Sequence, residues 1–81
     1  MFDVLIVNAQ LVGKTEIVYE GKTTSVFLPG ADGEFEILDF HKPVISRLKK
    51  GIIMVDNYKE FPVSGGIVKM QHQRLIAMVS L

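Results

Sequence analysis

Apolar and polar residues alternate along most of this chain with a period of two, the spacing of strands that rest one face on a core. Val4-Leu5-Ile6-Val7 departs from it by being continuously apolar, as expected of a strand covered on both faces, and Asn8, Ala9 and Gln10 end it. From Thr15 the alternation puts Ile17 and Tyr19 on one face and Glu16 and Glu20 on the other. Gly21-Lys22 then reads as a two-residue hairpin loop, followed by a strand from Thr23 to Leu28 with Thr24, Val26 and Leu28 facing one way.

The segment from Val26 to Pro43 carries the strongest turn signal. Pro29 presets φ, Gly30 and Gly33 tolerate positive φ, and Asp32 can bond its own backbone, so a tight connection is expected with Phe35 and Ile37 sharing a face beyond it. Its tip carries Asp32 and Glu34 into solvent. Val44 to Lys50 fits either one or two helical turns or a short strand, and Gly51 ends it. Ile52 to Val55 is strand-like by β-branching. After an Asp56-Asn57 turn, Tyr58, Glu60, Pro62 and Ser64 oppose Lys59, Phe61 and Val63, and Pro62, lacking an N–H, belongs at an edge or bulge. Gly65-Gly66 predicts a bend or a close backbone approach before Ile67 to Met70; Gln71 to Gln73 turns again, and Leu75 to Val79 is a last buried strand. The fold class is therefore all-β, an antiparallel sandwich or barrel in one domain spanning residues 1–81.

Composition agrees with that picture and removes several functions. In 81 residues, 48% are hydrophobic and 22% charged, enough apolar material to fill a small core. Nine basic and nine acidic residues cancel, so there is no electrostatic reason to expect nucleic acid, where a basic face normally supplies the affinity. The absence of cysteine excludes disulfides, thiol catalysis and thiolate metal sites, and fits a reducing compartment. The start, Met1 to Val7, lacks a basic n-region and is too short to cross a bilayer.

Candidate chemistry is sparse. Ser25, Ser46 and Ser64 have only His41 and His72 as bases, with no nucleophile-elbow context, and read as ordinary strand and turn residues. The two histidines lack metal-ligand spacing, Asp32, Glu34 and Asp39 match no calcium loop, and Gly65-Gly66 lacks the partners of a phosphate loop, so no catalytic, metal or cofactor site is expected. The plain reading of His41 is a turn histidine bonded to a nearby carbonyl. Lys69, between Val68 and Met70, raises the alternative of a small carrier domain modified on lysine, although it lies inside a strand run instead of at a hairpin turn.

The ordered set Val26, Leu28-Pro29-Gly30, Gly33-Glu34-Phe35, Ile37-Leu38, His41, Pro43, Leu48 and Gly51, then Val63-Ser64-Gly65-Gly66, resembles the N-terminal β-sandwich of the epsilon subunit of F-type ATP synthases, called delta in mitochondria. With the opening and closing strands, the resemblance spans essentially the whole chain. It implies a flattened sandwich of about ten short strands in the rotor's central stalk. It also implies a non-catalytic subunit that links the gamma subunit to the c-ring and couples ion movement to ATP synthesis, peripheral to the cytoplasmic face of the bacterial inner membrane through its partners.

By the same resemblance one side of the sandwich packs on gamma, with no residues assigned, while the Ala31 to Phe35 turn meets the polar loops of the c-ring. Glu34 is then the main c-ring contact, beside Asp32, with His41 and Lys42 on the following loop at the same end. Phe27, opposite Val26 and Leu28, and Phe40 are apolar residues expected to be exposed in isolation and buried in the complex. Glu36 stands where the family usually has Gly, and Asp39-Phe40 where it usually has Pro-Gly, so the local turn differs from the family pattern. Most family members continue into a regulatory helical hairpin; the expectation for this chain, which stops at Leu81, is the sandwich and its coupling role without that hairpin.

Overall fold

The computed structural model describes residues 1–9 and 16–81. Among them are nine strands: β1 (Phe2–Asn8), β2 (Glu16–Thr23), β3 (Ser25–Gly30), β4 (Gly33–Leu38), β5 (Val44–Leu48), β6 (Gly51–Val55), β7 (Lys59–Val63), β8 (Gly65–Gln71) and β9 (Arg74–Ser80). They form one sheet in the order β2-β1-β9-β8-β5-β3-β6-β7, with β4 on the remaining edge of β3. The sheet folds over between β5 and β3, where only Gly30 and Leu48 pair, so that β2-β1-β9-β8-β5 forms one layer and β4-β3-β6-β7 the other. The all-β sandwich expected from the alternation is the architecture observed.

Period-two patterning explains the interior. Phe2, Val4 and Ile6 of β1, Val26 and Leu28 of β3, Ile37 of β4, Ile53 and Val55 of β6, Val68 and Met70 of β8, and Leu75, Ala77 and Val79 of β9 all point into one buried cluster. Each large aliphatic side chain there contributes about 1.5–3 kcal/mol by leaving water. The far edges of the two layers meet through side chains. The Tyr19 and Phe61 rings lie 5.2 Å apart, and Lys59 Nζ donates to the Tyr19 hydroxyl at 3.1 Å.

Several details differ from the sequence reading. Gly21-Lys22 is not a hairpin loop: β2 runs through it, paired with β1 as Gly21 with Val4 and Lys22 with Asp3. Gly21 is small because the Tyr19 ring lies over it, and a Cβ there would come within 2.7 Å of the Tyr19 hydroxyl. The chain instead changes layers at Thr24, outside any strand. There the Thr23 hydroxyl accepts from Ser25 N–H at 3.1 Å and donates to the Asp56 carboxylate. β3 accordingly starts at Ser25 and includes Pro29 and Gly30, leaving only Ala31-Asp32 as the turn.

Ile17 does not share the core face with Tyr19. A register shift between Ile6 and Val7 pairs Tyr19 with Ile6 but Ile17 with Val7, so Val18 and Tyr19 pack on the core while Ile17 is 57% exposed. Residues 44–48, open between helix and strand, form β5, because β8 offers them a ladder from Val44 with Met70 to Leu48 with Gly66. β1 and β9 run parallel, the one parallel pair among the described strands. Pro62 lies on β7, the edge strand. At Gly66, φ is +154 and a Cβ would sit 2.3 Å from the Met78 carbonyl oxygen, the close approach its sequence context predicts. The expected strand stop at Gln10 and start at Thr15 lie outside the described residues.

Candidate functional site: an acidic turn and an apolar face

The β3–β4 hairpin is built for a tight end. Its ladder runs from Ser25 with Leu38 to Gly30 with Gly33, and only Ala31 and Asp32 remain to cross. Gly33 closes the turn at φ +135, and the Phe35 ring covers Gly30 so closely that a Cβ would meet it at 2.7 Å. Two backbone bonds then fasten this tip to the other layer: Ala31 N–H donates to the Arg47 carbonyl at 2.8 Å, and Lys49 N–H to the Pro29 carbonyl at 2.9 Å. Asp32 and Glu34 are exposed on a rigid corner.

Glu34 also borders a groove of about 550 Å³ floored by Phe27, Pro29, Ile52 and Met54, with Lys49 and Lys50 beside it. Phe27 is half-buried on this outer side while Val26 and Leu28 face the core, as the alternation predicts. The two lysines were not anticipated as neighbours of Glu34. The signal was present: once 44–48 is a strand returning along the sheet, the turn after Leu48 must come back to the hairpin's end.

His41 and Lys42 do not join this site. β4 carries the chain away from the turn, from Gly33 beside Gly30 to Leu38 beside Ser25, so the loop that follows lies at the opposite end of the sandwich. There His41 N–H donates to the Leu38 carbonyl at 3.2 Å, and Phe40 N–H to Gln73 Oε1 at 2.9 Å, which ties the loop to the β8–β9 turn. The His41 ring lies with Nδ1 2.7 Å from the Lys42 carbonyl oxygen, the turn role read from its sequence. The candidates therefore divide by end: Asp32 and Glu34 at the hairpin tip, His41 and Lys42 opposite.

The serines and the carrier lysine are in ordinary places. Ser25 Oγ donates to Glu36 at 2.5 Å and Ser46 Oγ to the Arg47 carbonyl at 3.1 Å. Glu36 is half-buried beside Phe27 in the β3–β4 register and holds Ser25, which is how a carboxylate is accommodated within this hairpin. Lys69 is exposed in the middle of β8, opposite Ile45 and Ile76, and not at the His72-Gln73 turn.

The second feature is the outer face of the β2-β1-β9-β8-β5 layer, for which the sequence assigned no residues. Cross-strand register places Ile17, Val7, Met78, Ile67 and Arg47 in one row, and Glu20, Leu5, Ile76, Lys69 and Ile45 in the next, so that charged residues lie at the ends and within an otherwise apolar face. Ile17 is 57%, Ile67 45%, Met78 48% and Ile45 71% exposed. In Val4 to Val7, expected to be covered on both faces, the outward Val7 is buried and Leu5 half-buried, whereas Leu75 to Val79, expected to be a buried strand, leaves Ile76 half-buried and Met78 exposed on its outer side. The outer side of β9 is uncovered because the described strands form only two layers. Continuous apolar runs were the signal for this surface, and a one-chain reading assigned both faces to its own core. The exposed Ile17, Met78, Ile67 and Ile45 make this face a candidate interaction surface.

Comparison with known proteins agrees with the all-β fold. The family model for the ATP synthase delta/epsilon chain β-sandwich domain matches residues 6–80. An ATP synthase epsilon chain of Campylobacter jejuni is 29% identical over 77 residues, covering 90% of this chain and 60% of the relative. That of Delftia acidovorans is 36% identical over 69 residues, covering 80% and 50%. The chain thus spans about half to three-fifths of the length of these relatives.

Among solved structures, a chain in the Euglena gracilis mitochondrial ATP synthase OSCP/F1/c-ring structure superimposes with a TM-score of 0.76, covering 100% of this chain and 52% of that one at 15% identity. A chain from the Tetrahymena thermophila mitochondrial ATP synthase central stalk and c-ring gives 0.70, covering 98% and 63%, also at 15% identity. At that identity the structural matches establish the fold alone. The family match extends over nearly the whole chain, and the chain belongs to the ATP synthase delta/epsilon chain β-sandwich domain family.

Proposed function

We propose that residues 1–81 act as one rigid, non-catalytic body in the rotor of an F-type ATP synthase, linking the gamma subunit to the c-ring and keeping ion movement coupled to ATP synthesis. On this reading the chain is peripheral to the cytoplasmic face of the bacterial inner membrane and is held there by its partners. The observation that carries the proposal is the row of apolar side chains Ile17, Met78 and Ile67, with Ile45, on the outer face of the β2-β1-β9-β8-β5 layer, interrupted by Lys69 and fixed in direction relative to the acidic hairpin tip. Two surfaces on one stiff body are what transmission of torque between two partners requires.

Family membership supports assigning the apolar face to gamma. Ile17, Met78, Ile67 and Ile45 form its exposed part, and burying them against a second chain supplies the driving force that charge, at a net of zero, does not. Asp32 and Glu34 are the proposed c-ring contacts, where a carboxylate accepts hydrogen bonds from amide or guanidinium groups of polar loops. His41 and Lys42, at the other end, are not part of that contact. Mixing the purified chain with gamma in a calorimeter is expected to give one-to-one binding; no heat of binding and no co-elution would sink the assignment. Glu34→Lys should leave stability within about 0.5 kcal/mol, since the residue is exposed, yet weaken attachment to the c-ring. Rotor assembly at wild-type yield would remove Glu34 from the contact.

A further inference from the structure

The loop between β4 and β5 carries a residue the fold does not use. Phe40 has φ +61, the left-handed region that a residue with a bulky side chain enters only at a cost, and its side chain is 86% exposed. With the ring so exposed, packing among the described residues does not offset the backbone strain. Yet the loop is held in place. Phe40 N–H is bound by Gln73 Oε1 at 2.9 Å, His41 N–H by the Leu38 carbonyl at 3.2 Å, and Pro43 fixes the exit into β5. The ring is displayed on a fixed support.

We propose that Phe40 is a pre-organised anchor that inserts into an apolar socket on a partner protein chain. A rigid aromatic whose backbone is already fixed loses little entropy on docking, which is the profile of residues that dominate interfaces. His41 and Lys42 follow it directly, and Lys42 has no ion pair among the described residues, so a socket rimmed by carboxylates fits best. Resting on the rotor reading above, the geometry also selects the partner. Six residues of β4 at about 3.3 Å each put roughly 20 Å between the Glu34 end and the Phe40 end. A ring loop that meets Glu34 does not reach Phe40, and the socket is assigned to gamma.

Calorimetry with gamma tests this, using the full chain with Phe40→Gly, Phe40→Asn and Phe40→Tyr. Glycine and asparagine both accept left-handed backbone, so their melting temperatures should equal or exceed wild type, and a loss of binding is then not unfolding. The expected result is affinity lowered about ten- to thirtyfold for Gly and Asn, and within about threefold of wild type for Tyr. Wild-type affinity in Phe40→Gly overturns the anchor while leaving the rotor reading intact. Absence of binding by the wild-type chain overturns the rotor reading, and the socket on gamma with it. Self-association of the wild type that Phe40→Gly abolishes also overturns the proposal, because the socket would then lie on a second copy.

Discussion

The two ends of this sandwich are turned by different chemistry. At the hairpin-tip end the positive-φ residues among those described are glycines, Gly33 and Gly66; at the other end they are Phe40, Asp56, Asn57, His72 and Gln73, all with side chains. Gly66 is required by space, since β9 backbone occupies the position of a Cβ, and Gly33 by backbone angle alone. At the opposite end none of the positive-φ positions holds a glycine. Asp, Asn and His tolerate left-handed backbone because a short polar group can bond locally, but Phe40 has no such excuse. One end is shaped by packing, and the other keeps strain that the fold alone does not explain.

That contrast can be broken or sharpened by substitution. The largest effect is expected at Gly66→Ala, where backbone must move to relieve a 2.3 Å approach, at about 3 kcal/mol or more of lost stability in urea denaturation. Gly33→Ala should cost about 1–2 kcal/mol, because nothing lies within 4 Å of the new Cβ and only the φ of +135 opposes it. Equal losses at the two glycines would erase the distinction between space and angle. Phe40→Gly, at the opposite end, should change sign and stabilise by about 0.5–1 kcal/mol. A loss of stability there would mean the ring supports the fold after all.

The smallest effect is a pH dependence. Bonding to the Tyr19 hydroxyl, with a lesser contribution from Tyr58, raises Lys59 above the ordinary lysine value of 10.5. A lysine raised in the folded state contributes stability that is complete below 10.5 and lost as pH climbs through the higher folded value. The stability difference between wild type and Lys59→Met should therefore be constant up to about pH 10 and shrink above it. A difference that already shrinks near neutrality would assign the contact to some other group.

The acidic half of the candidate site is legible in the sequence alone, and the misses have a common cause. Asp32 and Glu34 were readable because a two-residue turn flanked by glycines is a local event, decided by residues adjacent in sequence. His41 and Lys42 were placed at the wrong end because proximity in sequence was taken for proximity in space, whereas a six-residue strand moves the chain across the whole molecule. Gly21 was misread for a related reason: glycine's freedom suggests a turn, but here its missing side chain makes room for Tyr19.

By itself, the sequence determined the all-β class, most of the core positions and the tight acidic turn, because alternation and turn chemistry act over a few neighbouring residues. Only the tertiary structure decided which apolar runs had a second, uncovered face, which turns share an end, and that Phe40 stands on strained backbone. Those properties depend on the number of layers and the direction of each strand, which arise from contacts between residues far apart in the chain.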